Sequence, residues 1–171
     1  MMVNGTSESI RIRPSGPQDL PALLEIYNDA VVHTTASWDL LPWTPVEHAE
    51  WYANKVEHGY PLLVAEVDGE VAGYAAYGPF RPKIGYARTM EHSVYIRPAH
   101  QGKGLGRALM VAIIEAAREN GVHALIGGLS ADNEASLSLH LSLGFVEVGR
   151  LPEVGRKFDR WLDLVLVQLT L

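Results

Sequence analysis

The chain contains no cysteine, which excludes a disulfide framework, a thiolate metal site and a cysteine nucleophile. No apolar run reaches the ~18 residues that a membrane-spanning helix needs. Basic residues are outnumbered, 14 against 20 acidic, for a formal net charge of −6. They are scattered rather than clustered, so no electrostatic argument points to nucleic acid. The seven histidines show no ligand spacing such as two histidines four apart on a helix, and no metal is expected. Residues 1–9 are polar and lack both a basic n-region and an apolar h-region, so they read as a polar leader and not a secretory signal. The expectation is a cytoplasmic protein without membrane or nucleic-acid partners. No repeat, low-complexity segment or linker divides the remainder. Residues 10–171 read as a single domain, and 47% hydrophobic with 20% charged content suits an ordinary globular core.

What is present alternates between the two periodicities of regular structure. Ile10 to Arg13 alternates apolar and polar as a strand ended by Pro14. Leu20, Leu23, Leu24, Tyr27 and Val31 recur at helical spacing. After a loop with Trp38 and Trp43, Thr44-Pro45 reads as the cap and first residue of a second helix, with Glu47 in its first turn and Gly59 as its stop. Leu62 to Val67 and Val71 to Tyr77 flank Asp68-Gly69, a hairpin of type I′. A loop from Gly78 to Arg88 leads to a strand from Met90 to Arg97. The apolar stripe Leu105, Leu109, Ala112, Ile113 and Ala116 marks the next helix, closed at Asn120-Gly121. Ala124 to Leu129 is a short buried strand. Asp132 or Asn133 caps a helix from Glu134 to Leu143, and two strands joined around Pro152 to Lys157 end the chain. The order β-α-α-β-β-β-α-β-α-β-β defines a mixed α/β domain with a central, largely antiparallel sheet flanked by helices.

One stretch carries chemistry. Strand, glycine-rich turn and helix follow one another from His92 to Ala108, which sets backbone N–H groups without side chains at a helix N-terminus. Such a terminus attracts anions, and glycines let successive N–H groups converge on a phosphate. Gln101-Gly102-Lys103-Gly104-Leu105-Gly106 fails the dinucleotide-binding pattern, because Arg107 stands where the last glycine is needed. It also fails the P-loop, because Gly104 follows Lys103 in place of Ser or Thr. It meets a third pattern, Gln/Arg-x-x-Gly-x-Gly/Ala, and resembles the acetyl-coenzyme A signature of the GNAT superfamily of N-acetyltransferases. The element order is similar to that fold from about Ile10 onward.

Further segments narrow the resemblance: 26–31 (IYNDAV), 59–61 (GYP), 73–75 (GYA), 91–95 (EHSVY), Leu139-His140 with Leu143-Gly144-Phe145, and 154–163. Together they resemble the phosphinothricin N-acetyltransferases and, within them, the methionine sulfoximine and methionine sulfone acetyltransferases. The resemblance implies transfer of acetyl from acetyl-CoA to the α-amine of a small amino acid or analogue, and a homodimer.

It also implies roles for residues. Glu91 matches the family's general base. Backbone groups of Val94, Tyr95 and Ile96 match those that grip the pantetheine arm, and a strand N–H there would polarise the thioester carbonyl. Asn133 matches a residue that bonds the CoA arm, and Ser136 and His140 share its helix face. Many GNAT enzymes carry tyrosine where this chain has His140, which leaves the acid that protonates the thiolate as His140, Tyr95 or solvent. Ser142 falls where a basic residue often meets the nucleotide end of CoA. Arg81 matches the family's substrate-binding arginine, with Arg88 as fallback for the same carboxylate. Tyr86 and Trp38 are candidate walls of the side-chain pocket. His92 is left out, since successive side chains on a strand point to opposite faces. Lys157, Phe158 and Trp161 belong to a family motif but receive no role. Two rival readings stand. One is a GNAT enzyme for a polyamine, aminoglycoside or protein N-terminus, against which Arg81 argues. The other is a non-catalytic acyl-CoA sensor, which would have no use for Glu91 and Arg81.

Overall fold

The computed structural model describes residues 9–171; all of the polar leader except Ser9 lies outside them. Strand β1 (Ile10–Pro14) precedes helices α1 (Leu20–His33) and α2 (Pro45–Glu57). Strands β2 (Leu62–Val67), β3 (Glu70–Pro79) and β4 (Thr89–Ile96) follow, then α3 (Leu105–Glu119), β5 (Ala124–Ser130), α4 (Glu134–Ser142), β6 (Val146–Lys157) and β7 (Arg160–Thr170). The strands form one seven-stranded sheet in the order β1-β2-β3-β4-β5-β7-β6. Only β4 and β5 run parallel. A parallel pair needs a long crossover, and α3 supplies it. The expected mixed, mostly antiparallel sheet is what forms.

The two sheet faces bury different helices. On one, Leu105, Leu109, Met110, Ile113 and Ala117 of α3 pack against Ala65, Ala75, Leu125, Val165 and Val167. On the other, Leu23 and Ile26 of α1 meet Val64, Tyr74 and Ala76. Thr44 caps α2 as its sequence predicts: its side chain accepts from Glu47 N–H while Glu47 reaches back to Thr44 N–H. Asp68 and Gly69 both take positive φ, 51° and 87°, the geometry of the type I′ turn read from the sequence.

Strand β3 runs on to Pro79, and a single 3-10 turn, Ile84–Tyr86, interrupts the following loop. The last hairpin differs more. Its turn is not at Pro152 to Lys157 but at Phe158-Asp159, both at positive φ (52° and 56°). Pro152 sits inside β6, where pairing with β7 slips between Leu151 and Gly155. Strand β6 is the sheet edge, so an absent N–H there breaks no ladder, and an irregularity absorbs the rest.

Candidate active site

The decisive feature is where β4 and β5 part. They pair over three rungs only, the last being Glu91 with Ile126, although both strands continue. On its other side β4 stays bonded to β3. Arg97 N–H donates to Ala72 O, 2.8 Å, and the ladder alternates. The amides of Val94 and Ile96 therefore face away from β3, into the opening. A cavity of about 220 Å³ fills it, lined by Glu91 to Tyr95, by Gly128 to Ser130 and by the loop from Thr35 to Trp38.

Glu91 stands at the base of this opening. Burial pushes its carboxyl above the usual range, and the nearby Arg81 charge pulls it back only in part. Gly128 makes the room: a methyl there would come within 3.3 Å of the Glu91 carboxylate. Arg81 and Tyr86 lie on the exposed loop after β3, both against Phe80, with the guanidinium 5.0 Å from its ring and the phenol ring at 5.8 Å. They belong to the rim and not to the cavity lining. Trp38 does line the cavity, and its indole lies over Gly155, where any side chain would collide with it. Its loop is pinned from several sides. Tyr27 Oη and Trp43 Nε1 donate to Asp39 at 2.5 and 2.8 Å, and the buried Lys157 ammonium donates to Ser37 O at 2.6 Å. That latch gives Lys157 a place the sequence could not supply.

The cavity continues into a groove of about 400 Å³ along Val94 to Ile96, Gln101, Gly102, Gly104, Gly106, Arg107, Asn133 and Ser136. Gly102 and Gly104 have φ of 74° and 85° with nothing near their missing side chains, so backbone conformation, not crowding, requires glycine there. Gly104 is the residue before α3, and the helix N-terminus opens onto the groove. Gln101 ties the turn down by donating to Ile96 O at 3.3 Å. Leu105 sends its side chain into the core and is 1% exposed, so only its backbone belongs to the turn. Lys103 is exposed and outside the groove lining. Asn133 caps α4, its carbonyl accepting from Ser136 N–H at 3.1 Å. Ser142 lies outside the groove, where it donates to Leu139 O and accepts from Arg107 at 2.9 Å. Arg107, in the first turn of α3, thus brings a guanidinium beside position 142.

His92 does point away from Glu91, as strand alternation requires, but that face holds His140. Their Nε2 atoms are 2.8 Å apart, both rings are buried, and His140 Nδ1 lies 2.6 Å from Ser136 O. A carbonyl only accepts, so Nδ1 of His140 carries a proton, and one proton must lie between the two Nε2 atoms. For a neutral pair His92 is the donor. Burial, then the neighbouring ring, pushes His92 down to about 3 despite an opposing Ile126 carbonyl; burial also lowers His140. Gly127 admits His92, since a methyl there would sit 3.0 Å from its ring. Both nitrogens of His140 are engaged. Tyr95, pushed up to about 12 by burial, turns instead toward Tyr27 and Tyr74. Among the described residues, no group of three or more metal-ligating side chains converges, and no helix is long and apolar enough to cross a membrane.

A sheet split between its parallel strands, with a glycine turn and helix terminus at the opening, defines a nucleotide-thioester-binding acyltransferase fold. The sequence model of the acetyltransferase (GNAT) family matches residues 21–145, and the chain belongs to that family. It is 48% identical over 164 residues to an L-methionine sulfoximine/L-methionine sulfone acetyltransferase of Pseudomonas aeruginosa, covering 95% of each chain. A ribosomal-protein-alanine N-acetyltransferase structure from Brucella melitensis superimposes with a TM-score of 0.93 at 49% identity, covering 94% of this chain and 99% of that one. A phosphinothricin acetyltransferase of Sinorhizobium meliloti in complex with acetyl-CoA does so at 0.93 and 31%, covering 95% and 88%.

Proposed function

We propose that this chain moves an acetyl group from acetyl-CoA directly to the α-amine of a small amino acid or analogue, of the methionine sulfone, methionine sulfoximine or phosphinothricin type. The observation that carries the reading is Glu91, a carboxylate of raised pKa at the last rung of the β4–β5 pair, where the amine and the thioester must meet. An α-amine is mostly protonated near neutral pH, so Glu91 takes its proton, directly or through water. The N–H groups of Val94 and Ile96 face the opening and polarise the thioester carbonyl. The turn from Gln101 to Gly106 and the N-terminus of α3 hold the pyrophosphate, with Asn133 and Ser136 along the arm and Arg107 at the outer end. Arg81 binds the acceptor carboxylate from the rim, and Trp38 walls the cavity in which amine and thioester meet. With no cysteine in the chain, a cysteine acetyl-enzyme has no place in the scheme. The thiolate is protonated by solvent, since both nitrogens of His140 are engaged.

The acting unit is the domain from Ile10 onward, in the cytoplasm and as a homodimer. What supports pairing is the edge hairpin, where Val146, Val148, Val154, Phe158 and Trp161 are each more than half exposed, a run of apolar surface beside the free edge of β6.

The test is thiol release from acetyl-CoA across methionine sulfone, methionine sulfoximine, phosphinothricin, ordinary amino acids, spermidine and a peptide beginning with alanine. Turnover confined to amino acids and analogues is expected, with Glu91→Gln lowering kcat by ~10²–10⁴. Turnover of the alanine peptide alone would replace the acceptor with a protein N-terminus, the reading that the Brucella structure's name favours.

A further inference from the structure

Behind Glu91, on the α1–α2 side of the sheet, lies a second cavity of about 150 Å³. Glu91, Ser93 and Tyr95 form its common wall with the first. Its other walls are the rings of Tyr27, Trp43, Trp51 and Tyr74, together with His48 and Lys55. An aromatic box holding a lysine is an unusual thing to build. The Lys55 ammonium lies 5.3 Å from the centre of the Trp51 ring and 5.8 Å from that of Tyr60, and donates to Tyr77 O at 2.8 Å. Gly78 leaves it space, since a methyl there would come within 3.2 Å of Nζ. Gly78 is also the register partner of Glu91, so the Lys55 ammonium, carried on α2, lies over the strand position beside Glu91.

Lysine has three donors, and one carbonyl uses only one. Among the described residues no carboxylate pairs with Lys55, and burial lowers its pKa to about 8. A second polar group in the same wall is also unsatisfied: His48 is 3% exposed, its ring stacks on Trp51 at 5.2 Å, and its Nε2 has no partner among the described residues. A half-desolvated cation without a counter-charge is costly unless something supplies acceptor oxygens.

We propose that this cavity receives the acceptor's side chain and that Lys55 donates to an oxygen carried on its sulfur or phosphorus. The proposal rests on the reading above, with the α-amine at Glu91. The rings enclose the methylene and methyl groups, while the ammonium selects sulfone, sulfoximine or phosphinate side chains over the thioether of methionine, which offers only a weak acceptor. A site built to hydrogen-bond one group disfavours the isostere that lacks it, because its own polar atom is then left unpaired. Lys55 is thus a specificity-determining residue rather than a catalytic one.

The experiment compares kcat/KM for L-methionine sulfone and L-methionine in wild-type, Lys55→Met and Lys55→Gln protein, with thermal melts as the check on folding. Where methionine binds without turning over, its inhibition constant replaces its kcat/KM. The expected result is a sulfone-to-methionine ratio that falls at least tenfold in Lys55→Met and less in Lys55→Gln, which keeps a donor without the charge. An equal loss for both acceptors would mean that Lys55 only holds α2 to β3, and the proposal would be wrong. So would an unchanged ratio, and Lys55→Gln decides alone if Lys55→Met does not fold. A wild-type protein active on amino acids but indifferent to the sulfone oxygens overturns this inference and leaves the proposed function standing. A protein inert toward every amino acid overturns both.

Discussion

Glu91 and Arg81 are coupled through charge, and the coupling has a sign that kinetics reads. Burial raises the Glu91 carboxyl and the Arg81 guanidinium opposes the rise. A base works above its pKa, so kcat/KM should climb with pH through the Glu91 titration. In Arg81→Ala the opposing charge is gone, the pKa rises further, and the acid limb should move to higher pH. The same change should raise KM for the acceptor by ~10–100-fold, the worth of a charge-assisted hydrogen bond to its carboxylate. A raised KM with an unmoved limb would separate Arg81 from Glu91. The buried imidazoles behave in the opposite sense. His92, His140 and His48 all have depressed pKa values because burial disfavours the charged form. A group that is neutral when folded contributes its full stability above its unfolded pKa, ~6.5. That contribution drains as pH falls from there toward about 3, the folded value for His92. His92→Phe cannot charge, so its melting temperature should fall less between pH 8 and pH 5 than that of the wild type. Parallel melting curves would remove His92 from the acid response. Strand alternation correctly put His92 opposite Glu91. It could not reveal His140, 48 residues away, because that pairing is made by packing.

Elements whose signals are local were the legible ones. The Thr44-Pro45-x-Glu47 cap and the Asp68-Gly69 turn each depend on two or three neighbouring residues, and both formed as read. Thr44→Ala should cost about 1 kcal/mol, the usual worth of an N-cap, measurable as a shift in the urea midpoint with unchanged slope. The last hairpin was misplaced because Pro152 is a strong turn signal only where its missing N–H would be needed. On the edge strand it is not, and the turn passed to Phe158-Asp159, a pair with no glycine. The glycine signature was legible as a tight turn of positive φ opening a helix, but Gly127 and Gly128 were not, because they clear space for His92 and Glu91 across strands. That clearance gives a test. Gly127→Ala places a methyl 2.9 Å from Val167 and 3.0 Å from His92, so it should destabilise the fold by ~1–3 kcal/mol as core overpacking does. Adding His92→Ala should recover part of that loss. A double variant no better than the single one would place the clash against Val167 instead.

At the scale of the whole molecule, the sheet is split so that one ligand can bridge elements far apart in the chain. The groove touches α1, the end of β4, the turn before α3 and the start of α4, so acetyl-CoA bound there links both layers of helices through the opening. A ligand that binds only the folded chain stabilises it by ~2.7 kcal/mol at a hundredfold excess over Kd. For a chain of this length each kcal/mol is worth ~2–4 °C, so melting should rise by roughly 5–10 °C. Gly104→Val separates the cradle from the fold. Valine at a φ of 85° is strained, which lowers the melting temperature of the free protein and bends the N–H groups away from the pyrophosphate. The rise with acetyl-CoA should therefore shrink by more than half in Gly104→Val. In Glu91→Gln it should persist, because Glu91 lines the cavity and not the groove beside the turn. A Gly104→Val protein that gains as much as the wild type would show that acetyl-CoA is held elsewhere, and the glycine turn would revert to a connector between β4 and α3.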